Sequence, residues 1–115
     1  PKDNTPGCTT QACDIRDNYK ALSKKKIAII GVSCDDEKSH HKFIDKFELP
    51  FPLIADTEQK MVSQFGVWVE KSMYGRSYMG IARTTFIINA EGIISHIIEK
   101  VDTKNHSAQI LAALA

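Results

Sequence analysis

The feature that most limits how this chain can fold is a run of short apolar segments separated by amphipathic ones. IAIIGVS at 27–33 is too short and too apolar for a surface helix and reads as a buried strand. DEKSHHKFIDKFEL at 36–49 follows, with His40, Phe43, Ile44 and Phe47 spaced to share one side of a helix. PLIA at 52–55 then reads as a second short strand. Strand, helix and strand in succession predict helices packed on a sheet, an α/β layer architecture.

The remaining segments extend that pattern. TPGCTTQACDIRDNYKALSKKK, from Thr5, reads as one helix that Thr5 caps, with Pro6 at its first position. EQKMVSQFG is a helix that Gly66 ends, and VWVEKSMYGRSYMGIA (67–82) reads as a loop rich in aromatics, Met and Gly. That loop either lines a substrate or partner surface with Trp68, Met73, Tyr74, Tyr78 and Met79, or folds over its own apolar side chains. RTTFIINAEGIISHII reads as a hairpin turning at Ala90-Glu91-Gly92, and NHSAQILAALA as a closing helix with Ile110, Leu111 and Leu114 inward.

Together these give a single domain over 1–115 with a mixed central sheet flanked by helices. Such a sheet should not open on a helix, and the chain has no initiator Met. The sequence therefore reads as trimmed ahead of Pro1, lacking a strand that would feed the first helix.

Composition removes several function classes. With 115 residues, 43 % hydrophobic and a net charge of +1, nothing global suggests nucleic acid or an anionic membrane. The run SKKK at 23–26 is a solvated helix end, and no apolar run is long enough to span a bilayer. Three cysteines is an odd number at low density, which suits a reducing, cytoplasmic setting better than a secreted disulfide framework. The adjacent His40 and His41 cannot share a metal face, and no metal or nucleotide motif occurs, so no cofactor is expected.

Cys8 and Cys13 carry the chemistry. Cys8, Ala12, Ile15, Tyr19 and Leu22 form one helical stripe, which turns Cys8 toward the core, while Cys13 falls with Arg16, Asp17 and Lys20 on a side facing water. Five residues along a helix separate Cα atoms by about 8.6 Å, beyond the roughly 7 Å a disulfide spans. A static disulfide and a thioredoxin-like exchanger are both disfavoured; a bond requires the helix to unwind. The first-turn position of Cys8 favours its thiolate, the alternative being a small buried hydrophobe at a helix start.

With those residues in view, PKDNTPGCTTQACDIRD resembles the active-site segment of peroxiredoxins, P-x-x-x-T-x-x-C. Its C-x-x-x-x-C spacing is similar to that of the bacterioferritin comigratory protein (peroxiredoxin Q) subfamily. The likeness continues through GVSCDD, PFPLIAD, the segment from QFGVW to RTTFII, the AEG turn and the final NH helix. It implies a thioredoxin-like fold, lacking here the family's N-terminal strands, so that IAII and TTFII lose the neighbour between them. It implies a peroxidatic role for Cys8, with Cys13 as resolving cysteine. By the same resemblance Thr5 holds the peroxide, Pro1 shields the site from water, and Arg83 holds the thiolate and the peroxide oxygens. As a permanent cation, Arg83 is expected to lower the Cys8 pKa.

The implied activity is reduction of hydrogen peroxide and small alkyl hydroperoxides by a monomer, recycled by thioredoxin or a similar dithiol. Cys34 departs from the family pattern and is either an inert thiol or a backup resolving or regulatory one. Two other functions compete: protein disulfide exchange, and a non-catalytic redox sensor.

Overall fold

A computed structural model describes all residues 1–115. It opens with α1 (Pro6–Asp17), α2 (Tyr19–Lys24) and the short strand β1 (Gly31–Ser33), followed by α3 (Glu37–Phe47), β2 (Leu53–Ala55) and α4 (Lys60–Gln64). The second half holds β3 (Trp68–Met73), β4 (Arg76–Ile81), β5 (Thr85–Ile88), β6 (Ile94–Ile98) and α5 (His106–Ala113).

The segment expected to be one helix is two. Asn18 leaves helical geometry at φ −108°, ψ 13°, and its side-chain amide donates to the Asp14 carbonyl at 2.8 Å. An Asn that satisfies the preceding turn from its own side chain competes with the next helical bond, and the helix restarts at Tyr19. The predicted stripe survives the break, because Ala12, Ile15 and Leu22 are all buried. Leu22, at 0 % exposure, sits in one core with Phe43 of α3, Leu49 and Phe51 beyond it, and Ile110 of α5.

Helix α3 matches its pattern, with His40 and Phe43 buried and Ile44 and Phe47 packed on the core. Asp36 caps it, accepting the Ser39 N–H at 2.7 Å, and Glu48 closes it in the left-handed region at φ 52°. Strands β1 and β2 pair in parallel across this helix, Gly31 opposite Leu53 and Ser33 opposite Ala55. The strand is shorter than the predicted 27–33. Its partner is preceded by Pro50-Phe51-Pro52, two residues without an N–H; the Pro52 carbonyl accepts from Gly31, and pairing goes no further back.

The stretch 67–82 is not a loop. Strands β3 and β4 form an antiparallel hairpin in register from Trp68 opposite Ile81 to Met73 opposite Arg76. Its two-residue connection, Tyr74-Gly75, has φ of 53° and 76°, the pair of positive values that a turn matched to strand twist requires. Gly takes the second freely and Tyr74 accepts the first. Nor does the segment fold over its apolar side chains: Met73, Tyr74, Tyr78 and Met79 are exposed.

The β5–β6 hairpin turns where expected. Gly92 lies at φ 80°, and the Asn89 side chain accepts from the N–H groups of Glu91 and Ile93, both at 3.0 Å. In α5, Ile110 is buried and Leu111 half-buried, but Leu114 is 40 % exposed because the helix has ended before it. The inward face is completed instead by His106 and Ser107 at the start of the helix.

The strands make three two-stranded ladders, one parallel and two antiparallel. Strands β1 and β5 belong to different ladders. Side-chain bonds fasten α1 to the body of the protein. Arg16 donates to the Phe47 carbonyl at 2.8 Å, and Asp14 accepts the Ser107 N–H of α5 at 2.8 Å.

Candidate active site

The N-terminal turn of α1 and the five residues before it form the site. Thr5 has the extended backbone of an N-cap (φ −87°, ψ 155°), and Pro6 opens the helix, where its missing N–H costs nothing. The Thr5 hydroxyl does not cap the helix as expected. It turns back to donate to the Lys2 carbonyl at 2.8 Å, closing residues 2–5 into a compact loop, and Asn4 takes the left-handed backbone (φ 59°) that this loop demands.

That closure aims one backbone donor at the sulfur. The Lys2 N–H donates to Cys8 Sγ at 3.4 Å. Burial opposes ionisation of Cys8, while the Lys2 N–H, first, and the nearby Thr5 hydroxyl favour it, and the thiol is brought down to about 7. The threonine hydroxyl has a single hydrogen, so it serves the sulfur only by leaving the Lys2 carbonyl. Pro1, expected as a shield, is half-buried beside these groups.

Arg83 sits over the first turn of α1 without bonding the thiolate. Its Nη1 donates to Gln11 Oε1 at 2.6 Å, and its Nη2 lies over Gly7, where a Cβ would stand 2.8 Å away. No hydrogen bond joins it to Cys8, and the groups that lower the thiol are those of the 1–5 loop. Gln11 holds the guanidinium there, over Gly7, the residue before Cys8.

Cys13 is half-buried rather than facing water, since its helix packs against α5. All three cysteines are free thiols. Cys34, at the end of β1, is pushed up by burial and then by the carboxylates of Asp56 and Asp35. The cysteine pattern therefore resolves into one acidified thiol, Cys8, and one held protonated, Cys34.

Four residues around this site were not singled out from sequence: Gly7, Gln11, Asp3 and His40's ring as a partner of Asp3. Asp3, Asp35 and His40 bring ligand-type atoms within 4.8 Å of one another. Those atoms are already committed to bonds within the protein: Asp3 Oδ2 to His40 Nδ1 and Ser39 Oγ, and Asp35 Oδ2 to the Asp3 N–H and Ser33 Oγ. No buried side-chain polar atom lacks a partner. The cluster is a hydrogen-bonded joint.

Comparison with known proteins places this arrangement. Residues 1–97 match the family model of the AhpC/TSA family. The chain is 46 % identical over 114 residues to peroxiredoxin Bcp of Bacillus subtilis, covering 99 % of this chain and 73 % of that protein. It is 44 % identical over 114 residues to a putative peroxiredoxin bcp of Coxiella burnetii, covering 99 % and 76 %. Among solved structures it superposes, with a TM-score of 0.91 and 39 % identity, on the bacterioferritin comigratory protein of Xanthomonas campestris, solved as trapped intermediate and ligand complexes that address its alkyl peroxide reduction activity. That match covers 99 % of this chain and 73 % of the other.

Proposed function

We propose that this chain, which belongs to the AhpC/TSA family and is a thiol-dependent peroxidase of the Bcp, or peroxiredoxin Q, type, reduces hydrogen peroxide and small alkyl hydroperoxides through the Cys8 thiolate and resolves the product with Cys13. The observation that carries the assignment of Cys8 is the Lys2 N–H on its sulfur, in a first helical turn, with the thiol brought down to about 7. A thiolate is the nucleophile, and near neutral pH about half of such a group is ionised.

In the first step the Cys8 sulfur attacks the terminal peroxide oxygen. An S–O bond forms, the O–O bond breaks, and the leaving oxygen takes a proton and departs as water or an alcohol; Cys8 becomes a sulfenic acid. Thr5 and the Lys2 N–H are the donors nearest the sulfur, and Arg83 offers a fixed cation for charge moving onto the leaving oxygen. Pro1 covers the side of the site open to water.

In the second step the Cys13 sulfur attacks the Cys8 sulfur, forming an S–S bond and expelling the oxygen as water. Intact helical spacing keeps the two residues too far apart for this, so the first turns of α1 must unwind. Thioredoxin or a similar dithiol then restores both thiols by two exchanges and leaves as a disulfide. We place the protein in the cytoplasm as a monomer, a reading carried over from its likeness to bacterial Bcp peroxiredoxins.

Peroxide consumption in the presence of a dithiol, with insulin reduction run in parallel, tests this reading. Peroxide turnover that Cys8→Ser abolishes and that Arg83→Ala reduces far more than any insulin reduction supports it. Rapid insulin reduction with no preference for peroxide would replace it with protein disulfide exchange.

A further inference from the structure

The loop that aims the Lys2 N–H at Cys8 is fastened to the body of the protein by its next residue, Asp3. The Asp3 side chain is 8 % exposed and meets the His40 ring, 4 % exposed, through a 2.6 Å contact from His40 Nδ1 to Asp3 Oδ2. Ser39 Oγ donates to the same oxygen at 2.9 Å, and the Asp3 backbone N–H donates to Asp35 Oδ2 at 2.8 Å. On the far side of the ring, Nε2 donates to the Ile54 carbonyl of β2 at 3.0 Å. A carbonyl only accepts, so Nε2 carries a hydrogen, and one further proton lies on the Nδ1–Oδ2 axis. His40 thus ties three things together: the 1–5 loop, α3 on which it sits, and strand β2.

This joint is buried, fully satisfied and far from random in placement. It grips Asp3, the residue between the donor Lys2 and the left-handed Asn4. Asn4 is a non-glycine residue at positive φ, a conformation that contacts around the loop must hold. The only other side-chain bond from the loop to α3 is the exposed 3.4 Å contact of Lys46 Nζ with Asn4 Oδ1.

We infer that Asp3 and His40 are positioning residues for the peroxidase reaction: their buried contact fixes the 1–5 loop so that the Lys2 N–H stays on the Cys8 sulfur. The inference rests on Cys8 as the reacting thiol. It makes His40, which touches neither sulfur nor substrate, a determinant of thiol reactivity.

The test uses Asp3→Asn and Ser39→Ala in the full chain. The first keeps the side-chain shape and removes its charge, and the second removes one donor from the half-buried rim of the joint. Alkylation of Cys8 by iodoacetamide, followed peptide by peptide against pH, reads the thiolate without any peroxide. Exchange of the Lys2 amide hydrogen reads the donor directly.

In Asp3→Asn the alkylation midpoint is expected to rise by about one unit and the Lys2 amide to exchange at least about tenfold faster. Ser39→Ala should shift both in the same direction by less. The rate with hydrogen peroxide at neutral pH should fall in the same order, and Lys46→Ala, at the exposed contact, should move none of these. If both variants melt earlier while the Cys8 midpoint and Lys2 exchange stay at wild-type values, the joint is structural and the inference is wrong. Failure of the peroxidase assignment would look different: the midpoints would shift as expected, yet peroxide would oxidise Cys8 no faster than a free thiol.

Discussion

Arg83 and Gln11, 72 residues apart in sequence, are joined by a 2.6 Å hydrogen bond from Nη1 to Oε1. The bond spans from the start of the β5 region to α1, three residues beyond Cys8, and it decides where the site's one fixed cation rests. Holding the guanidinium before a substrate arrives means that little has to reorganise when charge moves onto a leaving oxygen.

Removing that cation should therefore slow chemistry without changing the thiol. Arg83→Ala is expected to lower the second-order rate with hydrogen peroxide by about 10²–10³-fold. Gln11→Ala should lower it by about tenfold, through a guanidinium no longer held. In both, the alkylation midpoint of Cys8 should stay near its value of about 7, since the groups that set it lie in the 1–5 loop. Stopped-flow peroxide oxidation and iodoacetamide titration separate the two effects.

Gly7→Ala should divide stability from activity. Ala at the second helical position favours the helix by about 0.5–1 kcal/mol over Gly, and the backbone there needs no left-handed conformation. Its methyl, however, would stand 2.8 Å from Arg83 Nη2 and push the guanidinium off its seat. Thermal melting should show a chain at least as stable as wild type, while peroxide oxidation slows by about tenfold or more.

Cys8 and Cys34 should part company with pH. The thiolate reacts, so with a thiol at about 7 the peroxide rate should be flat above roughly pH 8 and fall about tenfold per unit below roughly pH 6. An unperturbed thiol would still be gaining rate at pH 8. Cys34, pushed up by burial and then by Asp56 and Asp35, stays protonated and should be the slower of the two to alkylate at neutral pH.

How much of this could be read beforehand follows the range of the interactions. The stripe Ala12, Ile15 and Leu22, the α3 face around His40 and Phe43, and the turn at Gly92 are set by neighbours a few residues away, and the pattern reported them. The β3–β4 hairpin escaped because its turn is Tyr74-Gly75 rather than Asn-Gly, and because its exposed Met and Tyr residues blur the alternation that marks a strand. Cys8, Cys13, Thr5, Pro1 and Arg83 were legible as residue types in a recognisable order. Their partners were not: the Asp3–His40, Gln11–Arg83 and Asp14–Ser107 bonds each cross more than thirty residues of chain, and no local spacing encodes them.

The central claim is that Cys8 is oxidised by peroxide and resolved by Cys13 through unwinding of α1. Its most direct test is a count of free thiols, with peptide mapping, after one equivalent of hydrogen peroxide on the wild type and on Cys13→Ser. The account predicts a fall from three thiols to one in the wild type, with a Cys8–Cys13 disulfide and Cys34 still free, and a sulfenic acid on Cys8 in the variant. Three thiols persisting at small-molecule rates, or a disulfide that includes Cys34, would contradict it.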